Sequence, residues 1–114
     1  MAKISSELMN TLIKLQQSLL KSINEAKLSE YSLLERFGET NDNISTLDEL
    51  TAIAQQSADL YTQISRLLLQ ISEIQPAITP AMLKLLTERV ETIESRVPAL
   101  SQSIKEIKSD WGLL

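Results

Sequence analysis

The chain has 114 residues, a net charge of −4, only 4% aromatic residues, and neither cysteine nor histidine. This length suits a single domain, residues 1–114, with a modest core. Without cysteine and histidine, the chain has no disulfides, no thiolate or imidazole metal sites, and no nucleophile that depends on either residue. We therefore expect no metal and no other cofactor.

Charge and hydropathy narrow the range of partners. The basic residues are scattered among acidic ones, whereas sequence-independent nucleic-acid binding needs a basic stripe. No apolar run approaches the ~18–20 residues that span a bilayer. Residues 1–4 lead directly into an amphipathic segment rather than into a signal peptide. We expect a cytoplasmic protein that neither binds nucleic acid nor inserts into a membrane.

The first predicted helix covers residues 6–37. Ser5 or Ser6 suits its N-cap, and Gly38 stands where a C-terminal cap is expected. Apart from Glu30, its main apolar line is Leu8, Leu12, Leu15, Leu19, Ile23, Ala26, Leu33 and Phe37. A second line beside it consists of Met9, Ile13, Leu20, Tyr31 and Leu34. Because the combined stripe is wide, we expect this helix to bury it against two neighbours.

The second predicted helix covers residues 47–75, after a polar loop at residues 38–45. Thr46 and Glu49 fit a capping box, and Pro76 marks the end of the helix. Its heptad line is Leu50, Ile53, Ser57, Leu60, Ile64, Leu67, Ile71 and Ile74. Ser57 is the one polar member. Its hydroxyl either bonds the carbonyl four residues earlier or helps to set the register of packing, and we favour the first.

The third predicted helix covers residues 80–110, with Thr79 as N-cap and Pro80 at its first position. Its heptad line is Leu83, Leu86, Val90, Ile93, Val97, Leu100, Ile104, Ile107 and Trp111. Pro98 lies inside this segment and must either break the helix or kink it. Because the heptad phase passes Pro98 unchanged, we expect a kink.

Three long helices joined by short links predict an all-α fold. The expected architecture is an elongated, antiparallel, up-down-up three-helix bundle with coiled-coil-like packing. The same heptad lines would also serve a coiled coil shared between chains.

No cluster of residues predicts catalysis. Glu88, Glu91 and Glu94 share one helix face, but dinuclear carboxylate sites on helices normally include histidine. The acidic loop around Asp42 lacks the glycine and the closing glutamate of a calcium loop. Asn43 begins a glycosylation sequon, which we interpret as a chance match. We therefore expect a protein that is not an enzyme.

The candidate partner-binding residues are apolar residues beside the heptad lines and at the end of the chain. They are Tyr61, Leu68, Leu69, Trp111, Leu113 and Leu114. Tryptophan is enriched at binding hot spots, and Gly112 would end the helix and leave the two leucines free. In the alternative that we favour for the tail, Trp111 covers the end of the core and the leucines fold over it. Leu28 and Leu69 would mark an interface if they belong to one exposed patch.

These features predict a non-enzymatic bundle for protein–protein interaction, scaffolding or regulation. It would act alone, as a homodimer or as one subunit of an assembly. The alternative is a small-ligand-binding regulatory domain with a pocket between helices, lined by Tyr31, Tyr61 or Ser57.

Overall fold

The computed structural model of the protein describes residues 6–74 and 78–113. It contains three helices, α1 (Ser6–Phe37), α2 (Ile44–Glu73) and α3 (Pro80–Trp111). The Cα atoms extend over 57 × 19 × 18 Å, and every helix packs against both of the others. The predicted elongated, all-α, three-helix bundle is therefore confirmed.

The core forms where one heptad line from each helix meets the other two. The buried apolar residues of α2 and α3 include every predicted line member from Leu50 to Ile71 and from Leu86 to Ile107, apart from the polar Ser57. Ile74 and Leu83, at the ends of their lines, are only partly buried against this core. Ile78, which we assigned to the connection, is buried as well. Strict heptad spacing thus locates the core of these two helices.

The buried line of α1 differs from the prediction in its second half. Its members are Leu12, Leu15, Leu19, Ser22, Ala26, Ser29 and Leu33. Ser22 occupies the place that we assigned to Ile23, and Phe37 remains 48% exposed. The buried residues of α1 are separated alternately by three and four positions along the whole helix. The predicted line left this spacing at Leu19, because it continued to the apolar Ile23 instead of the polar Ser22.

Most of the second apolar line of α1 is exposed, although Met9 at its start packs on the core. Ile13, Leu20, Tyr31 and Leu34 are between 42% and 64% exposed. The prediction that α1 buries a wide stripe is therefore wrong. It contacts both neighbours through its narrow heptad line, because a three-helix core is reached only by that line.

The loop between α1 and α2 is organised by Asn43, which is fully buried. Its Oδ1 accepts a hydrogen bond from the Thr40 amide at 2.9 Å, and its Nδ2 donates to the Gly38 carbonyl at 2.7 Å. α2 begins directly after it at Ile44, three residues before the predicted start. The predicted capping box is wrong, because Thr46 and Glu49 already lie inside the helix.

The burial of Asn43 also makes the glycosylation sequon inaccessible in the folded chain. A glycan would be attached to the Asn43 side-chain nitrogen. In the folded chain this atom donates to Gly38 within a residue that has no exposed surface. The folded loop therefore does not present the sequon for modification.

The ends of α2 and α3 largely match the prediction. α2 ends at Glu73, and the predicted terminal residues Gln75 and Pro76 lie outside the described residues. The Thr79 hydroxyl accepts a hydrogen bond from the Met82 amide at 3.3 Å, which confirms it as the N-cap of α3. α3 ends at Trp111, one residue beyond the prediction.

Pro98 lies on the exposed surface within an uninterrupted α3. The alternative of two separate helices is therefore wrong, while the kink stays a prediction. An exposed position allows the helix to accommodate the missing amide hydrogen bond on its solvent side.

The middle of the bundle is built from small residues. Ser22 and Ala26 on α1 and Ser57 on α2 are buried here. The Ser57 hydroxyl donates to the Ile53 carbonyl at 2.8 Å, as predicted. Val97 and Pro98 border the same shallow surface groove as Ser22. This section of the core therefore has fewer large apolar side chains than the leucine-rich sections on either side.

Candidate protein-interaction face

α1 and α2 lie side by side in opposite directions, and one hydrogen bond fixes their register. Gln16 Nε2 donates to Ser65 Oγ at 3.2 Å. Leu20, one turn after Gln16, is therefore level with Tyr61, one turn before Ser65. By the same spacing, Ile13 is level with Leu68.

These level positions define the outer face of the bundle. We use this name for Ile13, Leu20, Tyr31 and Leu34 on α1 together with Tyr61 and Leu68 on α2. The α1 residues are exposed, while Tyr61 and Leu68 are partly buried against the core. Four of the six residues of the outer face are thus exposed to solvent, and the other two rest on the core.

Charged side chains line the grooves that border α3. The groove between α1 and α3 is lined by Glu7, Leu8, Thr11, Leu83, Thr87, Val90, Glu91 and Glu94. The groove between α2 and α3 is lined by Gln63, Arg66, Leu67, Gln70, Arg89, Thr92 and Ile93. By contrast, exposed leucine, isoleucine and tyrosine side chains recur over several turns of α1.

Leu28 and Leu69 lie beside the outer face rather than within it. Leu28 is 56% exposed and Leu69 is 63% exposed. Leu28 comes one residue after Lys27, and Leu69 comes one residue after Leu68. One residue along a helix turns the side chain by about 100°, so both leucines point to the side of the outer face. The two leucines sit on different helices and at different levels of the bundle, so they do not belong to one exposed patch.

Charged residues border the outer face on α1. Lys14, Lys21 and Glu35 share one flank of the exposed line, because they are spaced by seven and fourteen residues. Lys27 lies within the line, and its Nζ is 3.5 Å from Glu30 Oε2. The same flank carries Glu7 before its two lysines and Glu35 after them.

The tail packs back on the end of α1. The rings of Trp111 and Phe37 have centroids 5.6 Å apart at an interplanar angle of 58°. The Arg36 guanidinium donates to the Gly112 carbonyl at 2.9 Å, and Leu113 packs on the core. The described part of the tail thus follows the alternative in which Trp111 covers the end of the core, and Leu114 lies outside the described residues.

The geometry of the tail follows from Gly112. It adopts a left-handed conformation with φ of +63°, as a helix-ending glycine does. The Leu113 amide then donates to the Lys108 carbonyl at 2.8 Å. This bond turns the chain sharply, so that Leu113 packs on the core instead of extending into solvent.

The sequence placed Tyr61 and Leu68 correctly beside the α2 heptad line but missed the α1 half of the outer face. We expected that half to be buried. A usable signal was present, because α1 carries two apolar lines whereas a three-helix bundle buries one narrow line per helix. One of the two lines therefore had to remain outside the core.

The residues proposed for a ligand pocket do not form one. Ser57 is sealed inside the core, and Tyr31 is 64% exposed. A groove of about 300 Å³ lies between the end of α2 and the start of α3. Its lining includes Ile74, Met82, Leu85, Leu86 and Arg89.

No group of three or more acidic side chains in the described part of the chain is placed to hold a metal ion. The described helices also include none that is long and apolar enough to cross a membrane. Comparisons with protein-family models, with curated proteins and with solved structures found no match.

Proposed function

We propose that this protein is a non-enzymatic interaction module, of the scaffold or regulatory kind, that binds a helix of its partner along the outer face. The observation that supports this function is the exposed second apolar line of α1. Protein partners recognised as helices in a groove contact such lines through residues spaced three, four and seven positions apart.

The exposed line does not contribute to the core. Leu19 has no exposed surface, whereas its neighbour Leu20 is 50% exposed. The α1 heptad line already packs against both other helices without Leu20. This exposed apolar line, which folding does not use and which Asn24 and Lys27 interrupt, suits an interaction site.

The two tyrosines of the outer face suit a protein partner. Tyr31 is 64% exposed, and Tyr61 is partly buried against the core. Tyrosine is enriched in protein interfaces because it combines a large apolar ring with a hydroxyl group. The net charge of −4 favours a protein partner over nucleic acid, and we propose a cytoplasmic setting.

We also propose the tail as a smaller, separate contact. Trp111 and Leu113 are each partly buried, so part of each side chain faces solvent. Deletion of residues 111–114 should weaken association while helicity is largely kept. An unchanged affinity of the shortened chain would remove the tail from the interface.

The outer face is tested by substitutions that charge one leucine on it and one leucine elsewhere. In Leu20→Lys, the new charge lies on the outer face. The matched control is Leu85→Lys, because Leu85 is similarly exposed, at 57%, but lies on α3. Proteins captured from source cells by the wild-type chain should be lost with Leu20→Lys and kept with Leu85→Lys.

Far-UV circular dichroism must show equal helicity for both variants. The proposal is contradicted if Leu20→Lys captures the same proteins as wild type. It is equally contradicted if Leu85→Lys loses them as fully as Leu20→Lys does.

A ligand-binding role remains the second proposal, supported by the α2/α3 groove. This groove combines apolar side chains with the cation of Arg89, a mixture common in small-molecule sites. A ligand bound there would raise the melting temperature as its concentration increases. Leu85→Lys should abolish that shift, whereas Leu20→Lys should leave it unchanged.

A further inference from the structure

We infer that the two grooves between α2 and α3 form one binding site for an anionic amphiphile. Its oxyanion head lies between Arg66 and Arg89, and its unbranched apolar chain extends toward the start of α3. The inference rests on the second proposed function, ligand binding between these helices, and names the class of ligand. It is carried by two arginines without protein partners in one groove and by an apolar groove that continues from it.

The groove nearer the middle of the bundle has a cation on each wall. We call it the arginine groove, and it is lined by Gln63, Arg66, Leu67, Gln70, Arg89, Thr92 and Ile93. Both arginines are exposed. Among the described residues, the ion pairs lie within α1, and neither arginine has a hydrogen-bond partner. Their guanidinium groups are therefore available to a ligand.

The charge of the arginine groove is opposite to that of the protein as a whole. The net charge of the chain is −4, and the groove between α1 and α3 is lined by three glutamates and no basic residue. The arginine groove, in contrast, is lined by two basic residues and no acidic one. Guanidinium groups bind oxyanions through paired, charge-assisted hydrogen bonds, and the amides of Gln63 and Gln70 add further donors. This groove therefore suits an anionic head.

The second groove continues the first toward the link between α2 and α3. Gln70 and Arg89 line both grooves. We call the second one the apolar groove, and its other lining residues are Glu73, Ile74, Met82, Leu85 and Leu86. Met82 is 43% exposed and Leu85 is 57% exposed. An apolar chain lying on them would remove from water a surface that folding leaves exposed.

The lining residues also set the length and the direction of the ligand. Arg89 and Met82 are seven residues apart on α3, which is about 10 Å and matches about eight extended carbon–carbon bonds. Glu73 is the one acidic residue that lines either groove, and it lies two turns beyond Arg66 at the far end of the apolar groove. Its carboxylate repels an anionic head at that end, so the head is directed to the arginines.

Titration of the full chain with octanoate, followed by two-dimensional amide NMR, tests the site. Octanoate is the probe because its carboxylate is ionised at pH 7 and its chain has the length of the apolar groove. We expect the amides of both grooves to shift, with a dissociation constant of about a millimolar, as suits a small ligand in an open groove. The amides of the exposed line of α1 should remain in place.

The head is tested by removing one positive charge. Arg89→Gln should weaken octanoate binding by at least about tenfold. The matched control is Arg96→Gln, which removes the same charge from an exposed position of α3 that lines neither groove. This control should bind octanoate as wild type does. Octylammonium, which has the same chain length and the opposite charge, should bind wild type at least about tenfold more weakly than octanoate.

The apolar chain is tested on both sides of the contact. Leu85→Asn should weaken octanoate binding by about fivefold, whereas Leu69→Asn, at a leucine that is 63% exposed and lines neither groove, should leave it unchanged. Lengthening the ligand from butanoate to octanoate should tighten binding by about two- to fourfold per methylene. Far-UV circular dichroism must show equal helicity for all four variants.

Three results would overturn the inference: groove amides that do not shift at any octanoate concentration below micelle formation, octanoate binding that survives Arg89→Gln, or octylammonium binding as tight as that of octanoate. If octylammonium shifts the groove amides and octanoate does not, the anionic class is wrong while ligand binding between α2 and α3 stands. If neither probe shifts them, the second proposed function fails with the inference. The interaction function proposed for the outer face depends on none of these results.

Discussion

α1 and α3 bury the same number of residues but present different surfaces. Each has 32 residues, of which seven are buried. α1 exposes six large apolar side chains from Ile13 to Phe37, whereas those of α3 in the described residues are Met82 and Leu85 near its start. The excess of exposed apolar side chains on α1 supports the proposed interaction function.

The largest expected change in stability distinguishes the buried line of α1 from its exposed line. It compares substitutions of the adjacent residues Leu19 and Leu20. Leu19→Ala removes a side chain with no exposed surface and should lower the free energy of unfolding by about 2–5 kcal/mol. Leu20→Ala removes a half-exposed neighbour and should change it by less than about 0.5 kcal/mol. Urea denaturation at low protein concentration measures both, because dilution removes any contribution from association. Equal losses would mean that the outer line stabilises the monomer.

The next largest effect concerns Pro98, which removes one backbone hydrogen bond from α3 and has no counterpart in α1. Pro98→Ala restores an amide donor to an exposed position within a continuous helix. The free energy of unfolding should rise by about 2–3 kcal/mol, since proline in a helix interior costs about that much. Thermal and urea denaturation measure the gain. A loss of stability would show that the bundle requires the local geometry that Pro98 imposes.

The connection from α1 to α2 depends on one buried side chain. Asn43→Ala removes the bonds to Thr40 and Gly38 and should lower the free energy of unfolding by about 1–2 kcal/mol. Asn41→Ala, two residues earlier on the exposed surface of the same loop, is the control and should have little effect. The difference between the urea midpoints of the two variants measures how much the Asn43 hydrogen bonds stabilise the fold. Equal midpoints would show that these bonds do not stabilise it.

The smallest expected loss of stability comes from replacing the glycines that end α1 and α3, and it should be the same for both. Gly38 and Gly112 have φ of +68° and +63°, with open space where a Cβ would lie. Gly38→Ala and Gly112→Ala should therefore each cost about 1 kcal/mol through backbone strain alone. A clearly larger loss in Gly112→Ala would show that the tail contacts of Trp111 and Arg36 depend on that turn.

The sequence predicted α2 and α3 well because almost every place in their heptad lines is filled by an apolar residue. It failed in the second half of α1, where Ser22 and Ser29 occupy core positions and Ile23 lies next to Ser22. Periodicity weighted by hydropathy selects the isoleucine, but the geometry of a three-helix core selects the regular spacing. The start of α2 was missed for a different reason, because the bonds of Asn43 connect loop residues and do not follow a capping pattern.

The candidate site was only partly predictable. Tyr61 and Leu68 stood beside a complete heptad line, so their position on the surface of α2 followed from spacing. The exposure of Leu20 and Tyr31 depends on the absence of a fourth helix over α1, which is a property of the assembled bundle. For Trp111, spacing placed it on the core line, but the contact with Phe37 required the tertiary structure.

The small residues in the middle of the bundle have a consequence for how the molecule opens. Backbone amides near Ser22, Ser57 and Val97 are held by less apolar packing than those in the leucine-rich sections on either side, and Pro98 removes one helical hydrogen bond at the same level. Long bundles usually fray from their ends. Here, hydrogen–deuterium exchange should also be fast at the centre, so that the two halves of the rod protect their amides as separate cooperative units.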